Sequence, residues 1–159
     1  MSNVACTDPQ LAEFDSLFSV DGLTVRRVMT SAPTCVGPED SVLELVRTFH
    51  EKRFRHLLVV EDGRLAGIVS DRDVVRCFGP HEFPDESYLA AIRTDSIMSR
   101  DVITIDADMP LVAAIDLLHE HGVSSLPVVD GPRLVGIVTT SDLMRLLRRL
   151  LGSESDATE

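Results

Sequence analysis

Apolar residues along this chain keep two spacings, and both occur twice. Val42, Leu45, Val46 and Phe49 recur at the interval of one helix face, with Asp40 or Ser41 placed ahead of them as a cap. HLLVV at 56–60 and LAGIV at 65–69 are then separated by EDGR, which predicts two strands joined by a tight turn. Further on, Leu111, Ala114, Ile115 and Leu118 repeat the helical stripe, with Pro110 suited to its first turn and Gly122 to its C-terminal cap. SLPVV, DGPR and LVGIV at 125–138 then repeat the hairpin pattern. The Asp-Gly dipeptides at 62–63 and 130–131 are expected to supply the positive φ that each turn needs. Short strands, Thr34 to Val36 and Val102 to Ile105, precede the stripes, and a second helix is expected after Ser70 and after Thr139.

Each unit therefore reads β-α-β-β-α, and the two units are copies. Sliding the chain by 69 residues aligns 28–76 on 97–145 without a gap, and thirteen of those 49 positions are identical. Two copies are too few for a solenoid, which predicts a face-to-face, pseudo-two-fold pair of α/β (α+β) units. The apolar strand runs predict sheets covered by helices. The boundaries predicted are an N-terminal extension at 1–22, repeat 1 at 23–78, a connector at 79–91, repeat 2 at 92–150 and an acidic tail at 151–159. The extension offers a short helix from Asp8 and Pro9 through Phe18. The connector, with Pro80 and Pro84, reads as irregular, and the tail as disordered.

Composition narrows the function. A formal charge of −11 disfavours nucleic acid, which needs a basic face, but leaves room for one small nucleotide held by a local pair of cations. Cys6, Cys35 and Cys77 have no metal or disulfide spacing. No run resembles a signal peptide, and none approaches the roughly 18 apolar residues of a membrane span. The expected location is the cytoplasm. No nucleophile stands beside a base in any recognisable grouping, so an enzyme is not expected.

The chemistry concentrates in GIVSDRD at 67–73 and its counterpart GIVTTSD at 136–142. A buried strand ends there and a helix begins, which favours an anion. Asp73 in the first turn is placed to accept hydrogen bonds from a ribose diol. Ser-x-x-Asp at a helix start also has the form of a capping box, in which the acid bonds the N–H of the cap residue. Gly67 admits a close approach to its strand.

The ensemble VMTSAPTCV, RHLLVVEDGRLAGIVSDRD, IMSRDVITI and VSSLPVVDGPRLVGIVTTSD resembles the CBS domain family in its tandem arrangement, the Bateman module, over about 24–148. The resemblance implies a pair of repeats with two clefts that hold adenine nucleotides or related adenosyl ligands. It places Arg55, His56, Ser70, Arg72 and Asp73 in cleft A, with a base pocket of Ile103, Val123 and Ser125. It places Thr139 and Asp142 in cleft B, with Thr34, Phe54 and His56 around the base. Copy 2 has Ser124-Ser125 where copy 1 has Arg55-His56, and Thr140-Ser141 where copy 1 has Asp71-Arg72. Cleft B is thus expected to lack a cation for phosphate. Cleft A is expected to take AMP, ADP or ATP, and cleft B to bind weakly, to take a less charged ligand such as S-adenosylmethionine, or to stay empty.

No cofactor is required by this reading, and the effector protein it implies is unknown. The pairs Val74-Val75, Leu143-Met144 and Leu146-Leu147 point to a homodimer through helices. The alternative is a ligand-free scaffold with the same fold. His119-Glu120-His121 lacks a shared helix face and reads as a solvated helix end. Met29 and Met98 read as core or linker anchors.

Overall fold

A computed structural model describes residues 22–78 and 84–152. The expected helix of Asp8–Phe18, Cys6 and all of the tail beyond Gly152 lie outside the described residues. In chain order the elements are α1 (Val25–Val28), β1 (Thr30–Ser31), β2 (Cys35–Val36), α2 (Val42–Lys52), β3 (His56–Glu61), β4 (Arg64–Ser70), α3 (Asp71–Arg76), α4 (Glu86–Ala91), β5 (Ile105–Asp106), α5 (Leu111–Glu120), β6 (Ser125–Asp130), β7 (Arg133–Thr139) and α6 (Thr140–Gly152). Each repeat contributes the predicted β-α-β-β-α succession. One sheet has the order β2-β3-β4 and the other β1-β7-β6-β5.

Local chemistry explains most boundaries. Ser41 caps α2 in a full capping box with Glu44, and Gly122 takes φ +62 just after α5. The first hairpin turn is as expected, and the second differs in part. Asp62 and Gly63 both take positive φ, whereas in the second turn Gly131 does so and Asp130 is the last residue of β6. Gly131 is the counterpart of Asp62, because Pro132 occupies the place of Gly63 and its ring forbids positive φ.

The repeats are not separate in space, because each lends its leading segment to the other. Thr30 and Ser31 of β1 pair antiparallel with Ile137 and Gly136 of β7. In the mirror position, Ser99 bridges Ile68 of β4, with hydrogen bonds of 2.9 and 3.0 Å. The backbone N–H groups of Val25 and Arg26 donate to Met109 and Ala107. Val25 is fully buried in the core of repeat 2, among Ile105, Leu111, Leu126 and Val138. Thr94, its counterpart 69 residues on, is equally buried and donates to the Asp40 carbonyl of repeat 1 at 2.7 Å. Met98 joins the other core, with Leu45, Leu57, Val59 and Val69. Gly67 and Gly136 make this close exchange possible. A Cβ on Gly67 would stand 2.7 Å from Met98 Sδ and 2.9 Å from the Ser99 carbonyl. The close approach expected at Gly67 is therefore made by the protein's own crossing strand. Exposed ion pairs fasten both segments, Arg26 to Asp108 and Asp130 on one side and Arg93 to Glu39 and Asp95 on the other.

Two further differences have simple causes. The connector is not irregular throughout, since Asp85 accepts from Tyr88 N–H and caps α4, whose Leu89 enters the repeat 1 core. Six residues are too few to display a helical period. Of the apolar pairs expected on the surface, Val74 is buried, and Leu143 and Leu146 pack on the repeat 2 core. Val75, Met144, Leu147 and Leu151 are exposed, because a helix turns alternate members of such pairs inward.

Candidate functional site

Strands β4 and β7 end at Ser70 and Thr139, and both sites are built there. Ser70 Oγ accepts from Asp73 N–H at 3.3 Å, while Asp73 Oδ2 accepts from Ser70 N–H at 2.9 Å and from the Ser70 hydroxyl at 2.6 Å. Thr139 and Asp142 repeat this box at 2.9, 2.6 and 3.3 Å. The capping arrangement thus forms in both copies and uses one oxygen of each carboxylate. The other oxygens have different surroundings. Asp73 Oδ1 meets Arg76 at 3.3 Å, and the side chain keeps 18% of its exposure. Asp142 Oδ1 meets Arg145 at 3.2 Å and the Thr30 hydroxyl at 3.3 Å, and its side chain is 3% exposed.

A cavity of about 340 Å³ opens beside Asp73. His56, Ser70, Arg72, Asp73, Ile103, Val123 and Ser125 all line it, so the structure brings together seven of the eight residues expected in cleft A. Arg55 is the exception, since it lines the other cleft. Arg55 lies in a bend just ahead of β3, in the run Arg53–His56 whose four residues all line that cleft. Asp101 and Arg76 complete the charges around cleft A.

A larger cavity, about 490 Å³, opens beside Asp142. Thr34, Phe54, Thr139 and Asp142 line it together, as expected for cleft B, with His56 at its edge. The expected lack of cations is overturned, because Arg53, Arg55, Arg72 and Arg145 surround this cleft. Cleft B therefore has four guanidinium groups against one carboxylate, and cleft A has Arg72 and Arg76 against Asp73 and Asp101. Comparing the two phrases position by position missed this, because the cations of cleft B come mainly from repeat 1. Arg145, three residues after Asp142, was the one signal within repeat 2 itself.

The clefts share a partition. His56, Arg72, Gly122, Val123 and Ser124 border both. His56 Nε2 lies 3.2 Å from Ser124 Oγ and so bridges the repeats. Burial pushes the His56 imidazole below the usual histidine value, against the pull of Asp71 and Asp73, which favours the neutral ring. Cys35 lies in β2, and partial burial raises its thiol above the usual value, which disfavours the reactive thiolate. Among the described residues, no three His, Cys, Asp or Glu side chains gather as metal ligands, and no helix is long and apolar enough to cross a membrane.

Two α/β repeats with exchanged leading segments and a cleft at each Ser/Thr-x-x-Asp box define a paired-repeat architecture with a known family. The chain belongs to the CBS domain family, whose model matches residues 25–79 and 94–149. Over 126 residues it is 34% identical to homoserine O-acetyltransferase of Methanococcoides burtonii, covering 78% of this chain but only 24% of that protein. It is 30% identical to hypoxic response protein 1 of Mycobacterium tuberculosis, over 78% of this chain and 85% of that protein. The fold also matches a CBS domain pair solved in complex with 5′-methylthioadenosine and S-adenosyl-L-methionine, at 26% identity and TM-score 0.69, covering 80% of this chain and 97% of that one.

Proposed function

We propose that this CBS pair is a non-catalytic regulatory module whose clefts hold adenosyl ligands, with the phosphate-bearing nucleotides AMP, ADP or ATP in the Asp142 cleft. The observation that carries this reading is the convergence of Arg53, Arg55, Arg72 and Arg145 on a cavity of about 490 Å³ beside a boxed carboxylate. Its size falls within the ordinary range for small-molecule sites. Charge-assisted contacts to phosphate are worth about 1.5–3 kcal/mol each, so two or three of them set the ligand class. Cleft A, with balanced charges, suits an uncharged or sulfonium ligand such as S-adenosylmethionine, and the complex of the related pair supports that class. Ligand bridging the repeats alters their relative geometry, and an effector protein or the partner copy reads the change. The exposed stripe of Met144, Leu147 and Leu151 on α6, with Val75 exposed at the matching position of α3, supports a homodimer.

One observation favours the ligand-free scaffold instead. The capping boxes already satisfy both carboxylates, and Asp142 is nearly closed off. Calorimetric titration separates the two readings. AMP, ADP, ATP, 5′-methylthioadenosine and S-adenosylmethionine are titrated into the native protein and into the Asp73→Ala and Asp142→Ala variants. The nucleotide reading expects phosphate ligands to lose affinity chiefly in Asp142→Ala. Equal losses in both variants reject the division between clefts, and absence of heat with every ligand leaves the scaffold.

A further inference from the structure

Arg72 stands at the start of α3, in the wall between the clefts, and borders both cavities. It is exposed, and its guanidinium makes no ion pair or side-chain hydrogen bond among the described residues. Each cleft's other cations are differently placed. Arg53 and Arg55 remain in the Asp142 cleft whether or not Arg72 turns there. Among the described residues the Asp73 cleft has only Arg76 as a further arginine, and Arg76 is drawn to Asp73 at 3.3 Å. With Arg72 turned away, that cleft faces its occupant with Asp73 and Asp101 against one paired arginine.

We propose that Arg72 is a shared cation that couples the two clefts. A phosphate in the Asp142 cleft takes Arg72 and leaves the Asp73 cleft unable to hold a second phosphate with comparable affinity. The same capture leaves the Asp73 cleft receptive to an uncharged or positively charged adenosyl ligand. Occupation is then antagonistic between two nucleotides and indifferent between a nucleotide and a neutral nucleoside. One guanidinium cannot make short contacts with two phosphates held on opposite sides of a wall, and the coupling is reciprocal by linkage. The proposal rests on the adenosyl reading above and adds to it a residue and a sign of cooperativity.

The test is calorimetric titration of AMP and, separately, adenosine into the native protein and the Arg72→Gln variant. Because Arg72 is exposed and has no hydrogen-bond or ion-pair partner among the described residues, the variant is expected to fold, and circular dichroism verifies it. In the native protein AMP binds in two steps, the second at least about 10-fold weaker, the weight of one lost charge-assisted contact. Adenosine, without a phosphate, shows no such gap. In Arg72→Gln the first AMP step weakens about 10-fold and the second changes less than about 3-fold, so the steps converge. Equal weakening of both steps, or of neither, overturns the shared-cation proposal while leaving the adenosyl reading intact. If neither AMP nor adenosine binds the native protein, the adenosyl reading fails and the coupling falls with it.

Discussion

Gly136→Ala probes the exchange of leading segments directly. A Cβ at Gly136 would lie 2.6 Å from Met29 Sδ, 3.2 Å from Met29 Cγ and 2.9 Å from the Thr30 carbonyl oxygen. Ordinary contact begins near 3.4 Å. The thioether is the far part of a flexible side chain and can swing aside. The carbonyl cannot, because β1 is paired to β7 at Thr30 and Ser31. Overpacking of this kind costs about 1–3 kcal/mol. For a chain of this size each kcal/mol lowers Tm by about 2–4 °C, so a loss of roughly 5 °C is expected. Gly67→Ala meets Met98 and Ser99 at nearly the same distances and is expected to cost a similar amount. The two variants differ at the clefts. Thr30 lines the Asp142 cleft and Ser99 the Asp73 cleft, so each substitution displaces the wall of one. Urea unfolding and differential scanning calorimetry give the stability, and ligand titration gives the cleft selectivity. Native Tm in both variants would refute the crossing of strands at these glycines.

Other outcomes follow from the same geometry. Burial depresses the His56 pKa, so its contribution to stability is complete above the ordinary histidine value of about 6.5 and is lost as pH falls through the depressed folded value. Arg55 and Arg72 reinforce that depression, and Asp71 and Asp73 oppose it. His56→Gln should flatten the fall of Tm between about pH 7 and pH 5, and an unchanged slope by thermal-shift assay rejects this assignment. Leu57→Ala and Leu126→Ala, each at a fully buried position in a different core, should each cost about 2–5 kcal/mol. Both should unfold in urea as one transition, because each core includes residues from the other repeat's leading segment; a biphasic curve contradicts that coupling. Charges introduced by Met144→Asp with Leu147→Asp, on the exposed stripe of α6, should convert the proposed homodimer to monomer in sedimentation without lowering helix content, and a persistent dimer, or a native protein that already sediments as a monomer, rejects that interface.

Much of the architecture was legible in apolar spacing alone. The stripes at Val42–Phe49 and Leu111–Leu118 form α2 and α5, and the paired runs form β3-β4 and β6-β7. Those signals are local, and each element satisfies them against its own neighbours. The exchange of Thr30–Ser31 and of Ser99 left no such mark. These strands are one or two residues long, polar and exposed, so periodicity carries no information about which sheet they join. The only trace was the pair of identical glycines and methionines, Gly67 with Met98 and Gly136 with Met29, whose contacts cross between repeats. The residues expected around each Asp were largely gathered, but the charge of the clefts was not legible. Arg55 sits in the irregular run between α2 and β3, where no apolar period fixes the direction of a side chain, and Arg72 belongs to a wall rather than to a side.

The crossed segments also bear on what half of this molecule could be. A polypeptide holding one repeat alone would bring an arm with no body to receive it, and a body with a vacant edge beside Gly67 or Gly136. Two such halves would satisfy one another only by trading arms, as in a swapped dimer. The tandem chain is that embrace made covalent, and its join frees the two clefts to diverge: the first half gathers arginines around its partner's acid, while the crevice beside its own acid keeps its charges even.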